Sequence, residues 1–279
     1  MQAALEFQHF EAKIVAMATK LRSNDDSPLF FLSEYCATNR ISIKKGPEIP
    51  RLAAKLSRPR EGKFRYSISL PMVPIRSYER FCIAHELAHV AIEEAQFPEN
   101  LKHFNHWKIE ELCDRFARNL LISDDYISTC LSKNYPKNTN DWLEFCDLLS
   151  RECRVPWMQA GIRITELNNN LAFLRFCWLD DNFERDLYIK STSLKGRRGT
   201  NRTIIESSNL SNALNLLTSR SLVCDNWRGL LIDALGRSFE IERDPVLDDL
   251  LGTDLSQIAV RAEFGRYPCI FACSSNKRG

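Results

Sequence analysis

The spacing of apolar residues changes character once along this chain, at the polar triplet Asn168-Asn169-Asn170, and that change sets the class of fold. Before it, apolar residues recur mostly at helical intervals, interrupted by three short β-like runs. After it, runs at 171–179, 187–191, 239–242, 258–264 and 268–274 read as strands, with helical candidates at 208–218 and 227–235. A chain of 279 residues patterned this way is expected to be α+β and to form about two domains. No internal repeat of solenoid length is present.

Composition narrows the function classes. With 44% hydrophobic and 27% charged residues, the chain has the make-up of a globular protein rather than a disordered or fibrous one. Its net charge is +2, close to neutral on both sides of residue 170, so neither half reads as a nucleic-acid binder on charge alone. Ten cysteines show no C-x-x-C spacing, and Cys36, Cys82, Cys113, Cys146, Cys153 and Cys177 lie in apolar or helical stretches. They read as reduced, structural thiols of a cytoplasmic protein. The first residues lack the basic and apolar regions of a secretory signal, and no run approaches the ~18 apolar residues of a membrane span.

Along the first half, the pattern to about Thr38 reads as two helices broken at 23–28. Short runs at 41–43, 52–56 and 64–70 follow, and the last two, joined through S-R-P-R-E-G-K, read as a β-hairpin. A helix is predicted over 78–96 with Ser77 as its cap, and a strongly amphipathic one over 107–122. Ser123 is placed to cap a further short helix, and two more helical segments cover 142–152 and 157–167.

The chemistry concentrates where the histidines do. Four of the five, His85, His89, His103 and His106, fall within 22 residues. His85-Glu86-Leu87-Ala88-His89 is an H-E-x-x-H pattern on a predicted helix. Positions i and i+4 project from one face, so both imidazoles can bind one tetrahedral Zn²⁺. Glu86 is rotated by about 100° from His85, which places its carboxylate beside the metal's water, where it can act as general base, rather than in the ligand set. The pattern also arises by chance, as two unrelated helix histidines.

A hydrolytic site needs a third ligand and an open position. Glu110 lies 21 residues after His89 on the next helix, with Asp114 at i+4 on the same face. Glu110 on the metal and Asp114 accepting a ring N–H from a histidine would complete and orient the set. The competing readings are a solvated acidic helix face and Glu111 as the ligand, though Glu111 lacks an acid partner at i+4.

R-F-C-I-A-H-E-L-A-H-V followed by E-E-L-C-D-R-F-A-R-N-L-L resembles the signature of the ImmA/IrrE family of metallopeptidases, approximately R-F-x-x-A-H-E-L-x-H and then E-x-x-A-N/D-x-F-A-x-x-L-L-M-P. The resemblance implies His85, His89 and Glu110 as zinc ligands, Glu86 as base and Asp114 at the Asn/Asp position. It also implies a zincin-like domain over residues 1–125, a small β-sheet packed on the active-site helix. The usual closing Met-Pro is Ile122-Ser123 here, which changes how the helix ends and leaves the ligand positions intact. Residues 126–170 are expected to form a helical connector, possible helix-turn-helix included, and 171–279 an α+β regulatory or substrate-recognition domain.

The expected activity is that of a zinc-dependent endopeptidase; the same ligands also suit Mn²⁺ or Fe²⁺. In the family the substrate is commonly a helix-turn-helix transcriptional repressor in a stress-response or mobile-element circuit, and the resemblance implies such a protein as partner. The alternative is a non-proteolytic, metal-bound regulator that docks on a transcription factor. The 157–167 segment offers only Arg163 as an outward base, which favours a structural helical pair over a DNA reader. The basic cluster K-G-R-R-G-T-N-R at 195–202 reads as a solvated loop. His103 and His106 stay open between metal ligand, substrate contact and surface residue.

Overall fold

The computed structural model describes residues 2–22, 27–46, 54–71, 76–95, 104–137, 139–167, 171–178, 187–192, 238–242, 257–263 and 269–275. Two compact units divide the chain: one comprises Met1–Asn134 with Leu148–Ala160, the other Tyr135–Asp147 with Gly161–Gly279.

In the first unit the predicted elements occur in the predicted order. Helices α1 (Gln2–Arg22) and α2 (Leu32–Thr38) precede strands β1 (Ile41–Gly46), β2 (Lys55–Ser57) and β3 (Tyr66–Pro71). The expected hairpin is present: β2 runs antiparallel to β3, with Leu56 opposite Ile68. Sequence spacing did not disclose that β1 joins the other edge of β3 in parallel, with Ile41 opposite Tyr66, giving the order β1-β3-β2. The central strand is buried nearly throughout, as a strand covered on both faces must be.

Helix α3 (Arg76–Glu94) packs against β3 and β2, and α4 (His106–Leu121) packs along both α3 and α1. Ser77 lies inside α3 rather than capping it. A serine in a first turn forfeits only about half a kcal/mol of helix propensity, too little to decide where a well-packed helix begins. Asn105 caps α4 by accepting the backbone N–H of Lys108, and Ser123 caps α5 (Asp124–Lys133) by accepting that of Tyr126, as expected. The core is built from one stripe of each element: Ile14 and Ala18 on α1, Ile68 and Leu70 on β3, Ala84 and Ala88 on α3, and Leu112, Phe116, Leu120 and Leu121 on α4. Alanines four residues apart on α3 keep that stripe shallow, so a neighbouring element can approach closely.

The C-terminus of α4 is closed by a side chain from a distant part of the chain. Arg22, at the end of α1, is buried and its Nη1 donates to the carbonyls of Leu120 and Leu121 at 2.9 and 3.0 Å. Those oxygens have no partner within the helix. Replacing Arg22 by Met keeps the apolar stem and removes the donors; unfolding in urea is expected to show a loss of about 1.5–3 kcal/mol. A variant as stable as the parent would mean that solvent reaches those carbonyls.

Helix α6 (Thr139–Cys153) and helix α7 (Trp157–Leu167) take the places of the two predicted helical segments. The second unit holds strands β4 (Leu171–Trp178), β5 (Leu187–Thr192), β6 (Ser238–Glu242), β7 (Gln257–Glu263) and β8 (Cys269–Ser275). Each falls on one of the five apolar runs. They form an antiparallel sheet of order β5-β4-β8-β7-β6, in which the last strand inserts beside the first. The helical candidates at 208–218 and 227–235 and the basic cluster at 195–202 lie outside the described residues.

Candidate metal centre

His85 and His89 sit one turn apart on α3 with ring centroids 5.2 Å apart, and α4 brings an acidic face up to them. Glu110 is the hub. Its Oε2 lies 3.1 Å from His85 Nε2 and its Oε1 3.5 Å from His89 Nε2. Asp114, one turn further along α4, has Oδ1 2.8 Å from His85 Nδ1 on the opposite edge of that ring. The Glu110 carboxylate thus faces both imidazoles.

A divalent metal fixes the spacing of its donors. Bonds of about 2.0–2.1 Å at tetrahedral angles put neighbouring donor atoms roughly 3.3 Å apart. The separations of 3.1 and 3.5 Å from the two Nε2 atoms to Glu110 bracket that spacing. Two imidazoles and a carboxylate are also the ligand types that hydrolytic zinc sites use. Among the described residues, the group whose donor atoms lie close enough together to hold an ion is His85, His89 and Cys113; Glu110 brings its carboxylate up to both rings, and Asp114 meets the far edge of His85.

The electrostatics follow from the packing. Burial pushes the His85 imidazolium pKa down, but hydrogen bonds to Asp114 and Glu110 outweigh it and raise it to about 9. His89 is lowered, by burial and by repulsion from His85. The hydrogen bond to His85 holds the Glu110 carboxyl below its ordinary value. Protonated His85 paired with two carboxylates therefore supports the metal-free fold. Its folded pKa stands above the ordinary value of 6.5, so the stabilisation is complete below about pH 6.5 and is lost as pH rises through about 9. The melting temperature of metal-free protein is expected to fall over that interval, and less steeply in Asp114→Asn. Equal slopes for the two proteins would show that the pair is not the source.

Glu86 is buried on α3, and its carboxylate accepts the backbone N–H of Leu56 in β2. Burial raises its pKa, with the neighbouring Glu110 carboxylate adding to the rise and His85 opposing it. A carboxylate that is partly desolvated in this way is a better proton acceptor than one in water.

His106 begins α4 and places Nδ1 3.6 Å from Glu110 Oε1, yet its side chain is 74% exposed; its neighbour Trp107 is also exposed. It stands at the rim of the cluster. His103 lies outside the described residues. One participant escaped the sequence reading: Cys113, taken as a plain buried thiol, has Sγ 3.6 Å from His89 Nδ1. Donor atoms of His85, His89 and Cys113 all lie within 4.8 Å of one another. Burial, followed by the charges of Glu110, Asp114 and Glu86, raises its pKa and keeps it a thiol. Its position three residues after Glu110, on the same helix face, is the signal that would have exposed it.

Two helix-borne histidines and a carboxylate of the adjacent helix thus converge within one α+β unit, in a segment whose family match suggests a metallopeptidase-like function. Residues 76–165, which carry the whole cluster, match the Peptidase_M78 family, described as the IrrE N-terminal-like domain. That match supports an ImmA/IrrE assignment for the segment. Among solved structures, the chain is similar to one described as a Mycobacterium tuberculosis transcriptional regulator. The TM-score is 0.56 at 12% identity, over 96% of this chain and 76% of that one. That likeness concerns the fold. No curated protein matches the chain. No helix among the described residues is long and apolar enough to cross a membrane.

Proposed function

We propose that the protein is a zinc-dependent endopeptidase that cleaves a protein substrate, a helix-turn-helix transcriptional repressor in a cytoplasmic stress-response or mobile-element circuit. The observation that carries this reading is the joint approach of His85, His89 and Glu110 with a buried carboxylate, Glu86, on the adjacent helix position. A divalent metal bound by the first three would supply an activated water and polarise a peptide carbonyl. Glu86 accepts a proton at its carboxylate and returns it to the leaving amine, while the Leu56 N–H holds it in place. Asp114 keeps the His85 proton on Nδ1, which leaves Nε2 with a free lone pair.

In this scheme residues 1–125 form the catalytic domain, 126–170 a helical connector and 171–279 a recognition or regulatory domain. Six free cysteines among the described residues accord with a reducing compartment. The second reading, a metal-bound regulator without proteolytic activity, draws on the description of the structural neighbour as a transcriptional regulator. A buried carboxylate at position 86 speaks against it, because a purely structural site has no use for a base there.

The test is a cleavage assay. Protein carrying one equivalent of zinc is expected to cut the helix-turn-helix repressor encoded beside its gene at a defined bond, seen by mass spectrometry, and to stop when a chelator is added. Tight binding of the repressor without cleavage under Zn²⁺, Mn²⁺ or Fe²⁺ would favour the regulator. Glu110→Ala is expected to weaken zinc binding by more than about 100-fold, since removing a ligand exceeds the 10–100-fold typical of an orienting partner. Unchanged affinity would move the third ligand elsewhere.

A further inference from the structure

The two imidazoles of the centre are held by different chemistry. The Nδ1 edge of His85 meets the Asp114 carboxylate at 2.8 Å, whereas that of His89 meets the sulfur of Cys113 at 3.6 Å, a hydrogen-bonding distance for so large an atom. Cys113 is fully buried and His89 only partly so, which places the sulfur on the protein side of the ring. The opposite edge, Nε2, points to Glu110. The sulfur thus meets His89 at Nδ1 and the carboxylate meets it at Nε2, while the same sulfur lies within 4.8 Å of a donor nitrogen of His85.

We propose that Cys113 is a positioning residue for His89: its sulfur accepts the Nδ1–H, which fixes the ring and the tautomer whose Nε2 lone pair is free to bind the metal. The inference rests on the metal-centre reading above. It assigns the two helix-α3 histidines separate anchors from neighbouring residues of α4, a carboxylate for one and a thiol for the other. A neutral sulfur is a weaker acceptor than a carboxylate, so His89 is the more loosely oriented of the pair.

Four proteins test it: the parent, Cys113→Ala, Cys113→Ser and His89→Ala, each titrated with Co²⁺ in competition with a chromophoric chelator. The parent is expected to bind one Co²⁺ without a sulfur-to-cobalt charge-transfer band, and His89→Ala to lose that binding. Cys113→Ala should bind about tenfold more weakly, with Cys113→Ser recovering to within about threefold because its hydroxyl accepts the same N–H. If the alanine variant does not fold, Cys113→Val keeps the volume, removes the acceptor and should show the same loss. Parent-like affinity in the variant without an acceptor overturns the proposal. So does a charge-transfer band in the parent that the variant lacks, which would make Cys113 a ligand. Loss of binding in His89→Ala alone leaves the metal centre standing and removes only the role of Cys113. A parent that takes up no metal overturns the metal-centre reading and this proposal together.

Discussion

Glu86→Gln is expected to slow cleavage of the repressor by about 10²–10⁴-fold, the range that a positioned general base contributes. Metal affinity should not change, because Glu86 is not among the groups that meet around Glu110. The amide is nearly isosteric with the carboxylate and can still accept the Leu56 N–H through its remaining carbonyl oxygen. The same substitution removes a buried charge. Burial raises the folded pKa of Glu86, so the ionised carboxylate opposes folding at every pH above its unfolded value, and the neutral amide relieves that opposition. A variant that is slower but melts at an equal or higher temperature is the signature of a group kept for chemistry at the expense of stability. Undiminished cleavage by Glu86→Gln would remove Glu86 as the base and would require another proton acceptor in the cleft.

Phe116→Ala is expected to destabilise the protein by about 3–5 kcal/mol in equilibrium unfolding, near the upper end for a single core truncation. Phe116 has no exposed surface and lies on α4, two residues beyond Asp114 and six beyond Glu110. The cavity it leaves would loosen the helix that brings both carboxylates to the histidines. Metal should restore part of the loss, since an ion that binds only the folded chain contributes about 2.7 kcal/mol at 100 times its dissociation constant. The variant is therefore expected to recover more cleavage activity than stability when zinc is in excess. A loss below about 1 kcal/mol would mean that the surrounding side chains close over the gap.

Much of the fold was legible because it is written in local spacing. The five apolar runs after residue 170 became five strands at nearly the same boundaries, and the helical stretches of the first half became helices. Ser123 capped its helix as its chemistry prescribes, while Ser77 did not, because a cap preference of about 1 kcal/mol yields to the packing of a long buried helix. The pairing of strands was not legible. That β1 lies parallel to β3, and that β8 enters the second sheet beside β4, depends on contacts between residues far apart in sequence.

The candidate site divides along the same line. The alignment of His85 with His89 and the offset of Glu86 follow from the 3.6-residue turn alone, so the H-E-x-x-H spacing determined them before any tertiary contact existed. The approach of Glu110 to His85, the side of His85 that Asp114 meets, and the approach of Cys113 to His89 all depend on how α4 is rotated against α3. Each residue along a helix turns the facing side chain by about 100°, so a helix packed on a different face would present a neighbouring side chain instead. Only the packed core, with Phe116, Leu112 and Leu120 buried beneath α4, sets that angle.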